Sequence, residues 1–82
     1  MYKNRGPNGR CNLCGVRVAA IRKAQTPKLS QRGLADLLQL QGVDIDKNAV
    51  QRIESGQRFV TDIELKALAR ILKTPVEELL DI

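Results

Sequence analysis

The sequence predicts an all-α protein built from five short helices. Apolar residues make up 43% of the 82 residues, aromatic side chains only 2%, and the chain has 3 prolines. The apolar residues recur at spacings of three and four, which is the repeat of a helix face. Strands would need alternating segments rich in aromatic and β-branched side chains. The length suits one domain with a modest core.

The first predicted helix covers residues 13 to about 25 and ends before Thr26 and Pro27. The apolar positions expected to face inward are Leu13, Val16, Ala20 and Ala24, with Ile21 beside them. Residues 1 to 12 are polar and contain Gly and Pro close together, so they are expected to form a flexible basic arm. The folded domain is then expected to span residues 13 to 82.

The second helix is expected to begin at Ser30, whose hydroxyl can accept a hydrogen bond from a backbone N–H of the first turn. Its predicted inward positions are Leu34, Leu37, Leu38 and Gln41, with Ala35 as a small neighbour. Gly42 follows, where the left-handed backbone after a helix favours glycine. Asp46 is the predicted cap of a third helix over residues 47 to 54, which ends near Gly56.

Two more helices are predicted by their capping residues. Thr61 and Glu64 form a capping box ahead of the fourth helix. Its apolar positions are Leu65, Leu68, Ala69 and Leu72. For the fifth helix, Thr74 is the predicted N-cap, Pro75 the first helical residue and Glu77 the third. Its apolar positions are Val76, Leu79 and Leu80.

The third helix has one apolar face and one face of hydrogen-bonding side chains. Val50 and Ile53 lie three residues apart and therefore share one face, which is expected to be buried. The rest of the helix presents the donor-rich side chains Lys47, Asn48, Gln51 and Arg52. Amide and guanidinium groups of this kind pair with base edges in a major groove or bind phosphates. The alternative is that these are ordinary solvated surface groups.

The charge distribution also favours a polyanionic partner. Residues 1 to 60 hold eleven Lys and Arg against four Asp and Glu, whereas residues 61 to 82 hold three against five. The alternative is a solvated basic surface without a partner. No apolar stretch approaches the ~20 residues needed to span a bilayer, and the N-terminus lacks the apolar part of a secretory signal. A cytoplasmic, nucleoid-associated protein without membrane contact is therefore expected.

Neither catalysis nor a cofactor is expected. The chain has no histidine, no Gly-rich phosphate loop and no acid pair beside a nucleophile. Cys11 and Cys14 form a lone C-x-x-C, which a monomer without histidine cannot complete into a four-ligand Cys/His zinc site. A disulfide, or zinc shared between two chains, is one interpretation. The other is that Cys14 packs at the start of the first helix and Cys11 is a reduced thiol in the arm.

Three segments carry a resemblance to a known family: LSQRGLADLL, AVQRIESGQR and ELKALARILKTPVEELL. Over residues 13 to 82 the chain resembles the phage repressor and Cro-like helix-turn-helix domain (xenobiotic response element type) of bacterial and phage transcription regulators. The shared features include the Ser-Gln pair that opens the second helix and the Ile-Glu-x-Gly close of the third. The resemblance implies a compact five-helix, lambda-repressor-like DNA-binding domain.

The resemblance also implies roles for individual residues. The third helix would be the recognition helix, and its base-contacting residues would be Lys47, Asn48, Gln51 and Arg52. Gln31 would contact the phosphate backbone, and the further phosphate candidates are Ser30, Arg32 and Arg58. Glu54 would form a structural ion pair with Arg22 of the first helix. The alternative for Glu54 is a surface position that contributes less than ~1 kcal/mol.

The segment QLQGVDIDK makes the path between the second and third helices longer than in the compact family pattern. Either the second helix gains a turn or the connection bulges outward. The leading hypothesis is a repressor that binds double-stranded operator DNA as a homodimer, with half-sites ~34 Å apart and without a small-molecule effector domain. The apolar residues available for dimerisation are Leu79, Leu80 and Ile82.

Other hypotheses use the same fold differently. The alternative function is an antitoxin-like or anti-repressor module that binds a protein, with DNA contact secondary. RNA binding has less support, because the aromatic side chains that stack on bases are missing. The arm residues Lys3, Arg5 and Arg10 either enter a minor groove or have no role in binding.

Overall fold

Five α-helices make up the regular structure of residues 9–82, which is the part of the chain that the computed structural model describes. The helices are α1 (Gly15–Lys23), α2 (Gln31–Leu40), α3 (Lys47–Ser55), α4 (Asp62–Leu72) and α5 (Val76–Leu80). The predicted all-α, five-helix class is therefore confirmed. The arm positions Lys3 and Arg5 lie outside the described residues. Within residues 9–82, every helix is too short and too polar to cross a membrane.

The predicted caps begin α2, α3 and α4. Ser30 and Asp46 each accept a hydrogen bond, at 2.9 and 2.8 Å, from the backbone N–H three residues further on. At α4, Glu64 N–H donates to Thr61 Oγ1 at 3.2 Å, and Thr61 N–H donates to Glu64 Oε1 at 3.0 Å. These side chains satisfy backbone donors that have no partner inside the helix. The predicted starts of the three helices are confirmed.

Glycine ends α3 as predicted, but α5 begins one residue later than expected. Gly56 has a φ of +83°, a left-handed conformation that costs glycine little. Pro75, and not Thr74, is the N-cap of α5. Thr74 Oγ1 instead donates to Leu72 O at 3.0 Å. The last carbonyls of a helix have no partner within the helix, and the Thr74 hydroxyl bonds to one of them.

The predicted inward face of α1 is wrong for Leu13, Val16, Ala20 and Ala24, which are exposed, whereas the predicted Ile21 does pack against the core. Leu13 and Val16 are 52% and 56% exposed, whereas Cys14 and Val18 are buried in the core. The reason is Gly15, which lets the start of α1 lie directly against the end of α3, because any Cβ there would overlap the Ile53 carbonyl oxygen. That close approach selects the side of α1 that faces inward. In α2 the buried positions are Leu34, Ala35 and Leu38, while the predicted Leu37 and Gln41 are exposed.

The long connection between α2 and α3 turns into the core and does not bulge outward. Val43 and Ile45 are only 9% and 1% exposed, and they pack in the same apolar cluster as α2 and α4. Gln39 Nε2 also donates to Ile45 O at 3.1 Å. Gly42 has a φ of +81°, which allows the chain to reverse after α2. The extra residues therefore fix the start of α3 against the core.

Candidate nucleic-acid interface

The outward face of α3 consists of exposed hydrogen-bonding side chains. They are Lys47, Asn48, Gln51 and Arg52. The opposite face is formed by Ala49, Val50 and Ile53, which are 7%, 1% and 1% exposed. Among the hydrogen bonds of residues 9–82, none involves the side chains of the four outward residues. Their donors and acceptors are therefore available to a ligand.

The amino end of α2 lies beside this face. Arg32 of α2 and Lys47 and Asn48 of α3 line one groove of about 380 Å³, so candidates for phosphate and base contacts share a surface. Asp36 and Asp46 line the same groove and balance the charges of Arg32 and Lys47. The exposed hydroxyl of Ser30 accepts a hydrogen bond from Gly33 N–H, which leaves its proton free to be donated. The first N–H groups of α2 add the positive end of a helix dipole.

Gln31 is half-buried and bonds to a side chain of α3. Its Nε2 donates to Glu54 Oε1 at 2.9 Å. An amide nitrogen carries two protons, so one N–H remains for a second acceptor such as a phosphate oxygen. The structure therefore links the predicted phosphate contact to the ion pair beneath it.

Arg22 and Glu54 lie together in the interior. Arg22 Nε donates to Glu54 Oε2 at 2.7 Å, and Nη2 donates to Oε1 at 3.0 Å. Arg22 Nη1 also donates to Leu29 O at 3.0 Å. Each side chain of the pair is 8% exposed. The hydrogen bond to Glu54 raises the pKa of Arg22 above its usual value. The two hydrogen bonds of the pair tie α1 to α3.

Arg58 is oriented toward α4. Its Nη1 and Nη2 donate to the two carboxylate oxygens of Glu64 at 2.8 and 3.0 Å, and Nη1 also donates to Phe59 O at 3.1 Å. This pairing raises the pKa of Arg58 and lowers that of Glu64. Because Glu64 also caps α4, Arg58 attaches the connection after α3 to the start of that helix. A phosphate at Arg58 would have to share the guanidinium with Glu64.

Residues 10–12, which were expected to belong to the flexible arm, are docked against the end of α3. Cys11 N–H donates to Gly56 O at 2.8 Å, and Arg10 Nη2 donates to Glu54 O at 2.8 Å. The backbone carbonyls at the end of a helix lack partners within the helix, and they attract such donors. The one sequence signal was Asn12, a residue type that favours a helix start, placed just before α1.

The cysteines show no metal-binding arrangement. Cys14 is 1% exposed, and burial raises the pKa of its thiol. Cys11 is half-buried, and both thiols are free. Within residues 9–82 there is no group of three or more His, Cys, Asp or Glu side chains that could hold a metal ion. The interpretation of Cys14 as a packing residue of the first helix is confirmed.

Known proteins share this sequence pattern and fold. A helix-turn-helix family model matches residues 18–79. The crystal structure of the DNA-binding domain of BldD is similar, with 31% sequence identity and a TM-score of 0.64 over 85% of this chain and 92% of that chain. No curated protein sequence matches the chain. Because the family model covers most of the chain, the protein belongs to the helix-turn-helix family of the Cro/C1 type.

Proposed function

We propose that this protein is a transcriptional regulator, acting as a repressor, that binds specific double-stranded DNA by inserting α3 into the major groove. The observation that carries the proposal is the outward face of α3, with exposed amide and cationic side chains that have no partners within residues 9–82. Family membership and the likeness to the DNA-binding domain of BldD support it.

The proposed base contacts follow from the hydrogen-bonding groups of the four outward side chains of α3. Asn48 and Gln51 each carry a carboxamide, which can donate to N7 and accept from N6 of adenine. Arg52 can donate to O6 and N7 of guanine, and Lys47 can donate to either acceptor. A bidentate pair of this kind discriminates against a wrong base by about 1–3 kcal/mol. These four side chains are therefore the source of sequence preference.

The amino end of α2 provides the part of the DNA affinity that does not depend on the base sequence. Ser30, Gln31 and Arg32 offer a hydroxyl, an amide and a guanidinium beside the unpaired N–H groups of the first turn. Phosphate oxygens accept from all of these donors, and such contacts fix the register of a protein on a duplex. Arg58 contributes less, because Glu64 already occupies its guanidinium.

The test compares affinity for a selected operator with affinity for random duplex. Operators are first obtained by selecting tight binders from a random pool. Arg52→Ala and Asn48→Ala are each expected to lower the ratio of the two affinities by about tenfold. Arg70→Ala, an exposed arginine on α4, is the matched control and should leave the ratio unchanged. If the α3 variants also leave it unchanged, α3 does not read the bases.

We also propose that the protein binds as a homodimer, which the exposed apolar end of the domain supports. A groove of about 480 Å³ is lined by Leu13, Val16, Leu80 and Ile82, together with Arg17 and Asp81. Leu79, expected to be available, is fully buried, whereas Ile82 is 84% exposed. Arg17 of α1 and Asp81 after α5 both line this groove, so its surface offers charges of both signs to a second copy. Val16→Asp should then shift the sedimentation coefficient toward the monomer, and an unchanged coefficient would exclude this surface.

A second candidate function is a protein-interaction module of the antitoxin-like or anti-repressor kind. The observation that favours it is apolar exposure outside the groove, since Leu40 and Ile63 are 83% and 70% exposed. Salt separates the two functions. Binding through several phosphates weakens steeply between 50 and 200 mM salt, on the order of 10³-fold or more, whereas an apolar protein interface changes little.

A further inference from the structure

Residues 10–12, which precede α1, hold the carboxyl end of α3 by donating hydrogen bonds to backbone carbonyls there. Arg10 Nη2 donates to Glu54 O, and Cys11 N–H donates to Gly56 O, both at 2.8 Å. The charged guanidinium also lies at the negative end of the α3 dipole, where a cation is favourable. The last turn of α3 is therefore capped by a segment more than forty residues away in sequence.

Asn12 is at the centre of this contact. Its Nδ2 donates to Ile53 O at 3.0 Å and to Arg58 O at 2.7 Å. Its Oδ1 accepts from Gly15 N–H at 2.8 Å. Both amide protons are thus used, and one side chain connects the start of α1, the end of α3 and the connection that leads to α4.

The two ends of α3 are held differently. Its amino end is fixed by Asp46, which caps it, and by Ile45, which is 1% exposed. Its carboxyl end is held by Ile53 in the core and by the pairing of Glu54 with Arg22, and also by polar contacts from Asn12 and its neighbours. Arg52 directly precedes Ile53, whose carbonyl Asn12 holds, so loss of that bond would displace Arg52. Hydrogen bonds to bases weaken steeply when their distance and angle change.

We infer that Asn12 is a positioning residue for operator recognition, which sets the angle of α3 and hence the placement of Arg52 on the bases. This inference rests on the proposed DNA-binding function. Asn12 bonds to the backbone carbonyls of Ile53 and Arg58 and to Gly15 N–H, and to none of the base-facing side chains, so under this inference it acts on the bases through the backbone of α3.

Two variants of the full chain test the inference. Asn12→Asp keeps the shape and the acceptor for Gly15 N–H but loses both donors. Asn12→Ser is uncharged and its hydroxyl can still accept from Gly15 N–H, yet it is too short to reach both carbonyls. The measurement is the ratio of operator affinity to random-duplex affinity. Any unfolded fraction lowers both affinities equally, so a merely structural role leaves the ratio unchanged.

Asn12 also lines the groove proposed for dimerisation, so the sedimentation coefficient of each variant is measured as well. A lowered ratio accompanied by a shift toward the monomer would assign the effect to dimerisation and overturn the inference.

Both variants are expected to lower the ratio by about tenfold, corresponding to the loss of one bidentate base contact. The matched control is Thr74→Ala, which removes a side-chain bond to Leu72 O far from α3 and should keep the ratio. A ratio within about twofold of the wild-type value in Asn12→Ser would overturn the inference. If Asn12→Asp does not fold, Asn12→Ser decides. A wild-type protein that shows no preference for any selected duplex would instead disprove the proposed function.

Discussion

Arg22 and Glu54 form a two-point ion pair between α1 and α3, with Nε–Oε2 and Nη2–Oε1 distances of 2.7 and 3.0 Å. Only 8% of either side chain is exposed to solvent. Gln31 of α2 donates to the same carboxylate. Three helices therefore meet at the buried carboxylate of Glu54, and the orientation of α3 depends on this carboxylate.

Replacing Glu54 with alanine is expected to lower the free energy of unfolding by about 3 kcal/mol or more, because the buried guanidinium of Arg22 loses its partner. Urea denaturation followed by circular dichroism measures this difference. The double variant Arg22→Met/Glu54→Leu, which removes both charges, is the control and should recover much of the loss. A loss below about 1 kcal/mol in Glu54→Ala would mean that the pair behaves as a surface ion pair.

A methyl group at Gly15 is expected to destabilise the fold by at least about 2 kcal/mol, because it would overlap the backbone oxygen of Ile53. Gly33→Ala is the matched control in α2. There a Cβ would approach Leu29 Cδ1 at 3.0 Å, a flexible side chain that can move, and the helix gains about 1 kcal/mol of propensity. Thermal denaturation of both variants measures their stabilities, which are then compared with each other. Equal stabilities would show that α1 can shift away from α3 at little cost.

Acid is expected to weaken the contact between Arg58 and Glu64. Arg58 lowers the pKa of Glu64 below its usual 4.5 in the folded state. The pair therefore stabilises the fold fully above pH 4.5, and this contribution is lost as the pH falls through the lowered pKa. Glu64→Gln should cost about 1 kcal/mol at pH 7 and close to nothing near pH 2. Unfolding free energies at the two pH values test this, and a constant difference would contradict it.

Gln31→Ala is expected to weaken binding to every duplex by a similar factor, because the amide is proposed to contact a phosphate and phosphates carry no sequence information. Titration of the variant with operator and with random duplex measures the two factors. A loss restricted to particular base changes would disprove the phosphate role and would place Gln31 among the residues that orient α3 through Glu54.

The starts of α2, α3 and α4 could be predicted because their signals are local. Ser30, Asp46 and Thr61 each bond to a backbone N–H three residues away. The residues that form each cap are therefore close together in the sequence. The inward face of α1 could not be predicted, since Leu13 and Val16 offered an apolar stripe as regular as the buried one. Which stripe packs is decided by the contact of Gly15 with Ile53, which are far apart in the chain.

The same limit applies to the candidate site. The outward side chains of α3 were predictable from their spacing opposite Val50 and Ile53. The docking of Asn12 was not, because polar contacts between residues more than forty positions apart leave no periodic pattern. The pairing of Arg58 with Glu64 was not predicted either, because the two residues lie six positions apart and the bond forms only in the folded chain.

The outward face of α3 can change in sequence during evolution without loss of internal hydrogen bonds of the described residues. Lys47, Asn48, Gln51 and Arg52 have no side-chain hydrogen bonds within residues 9–82, and the core is built from the other face. Under the proposed function, mutations at these positions would therefore retarget the protein to new operators without compensating changes in the interior. A gene duplicate could acquire its own regulon by few substitutions, each compatible with an intact fold.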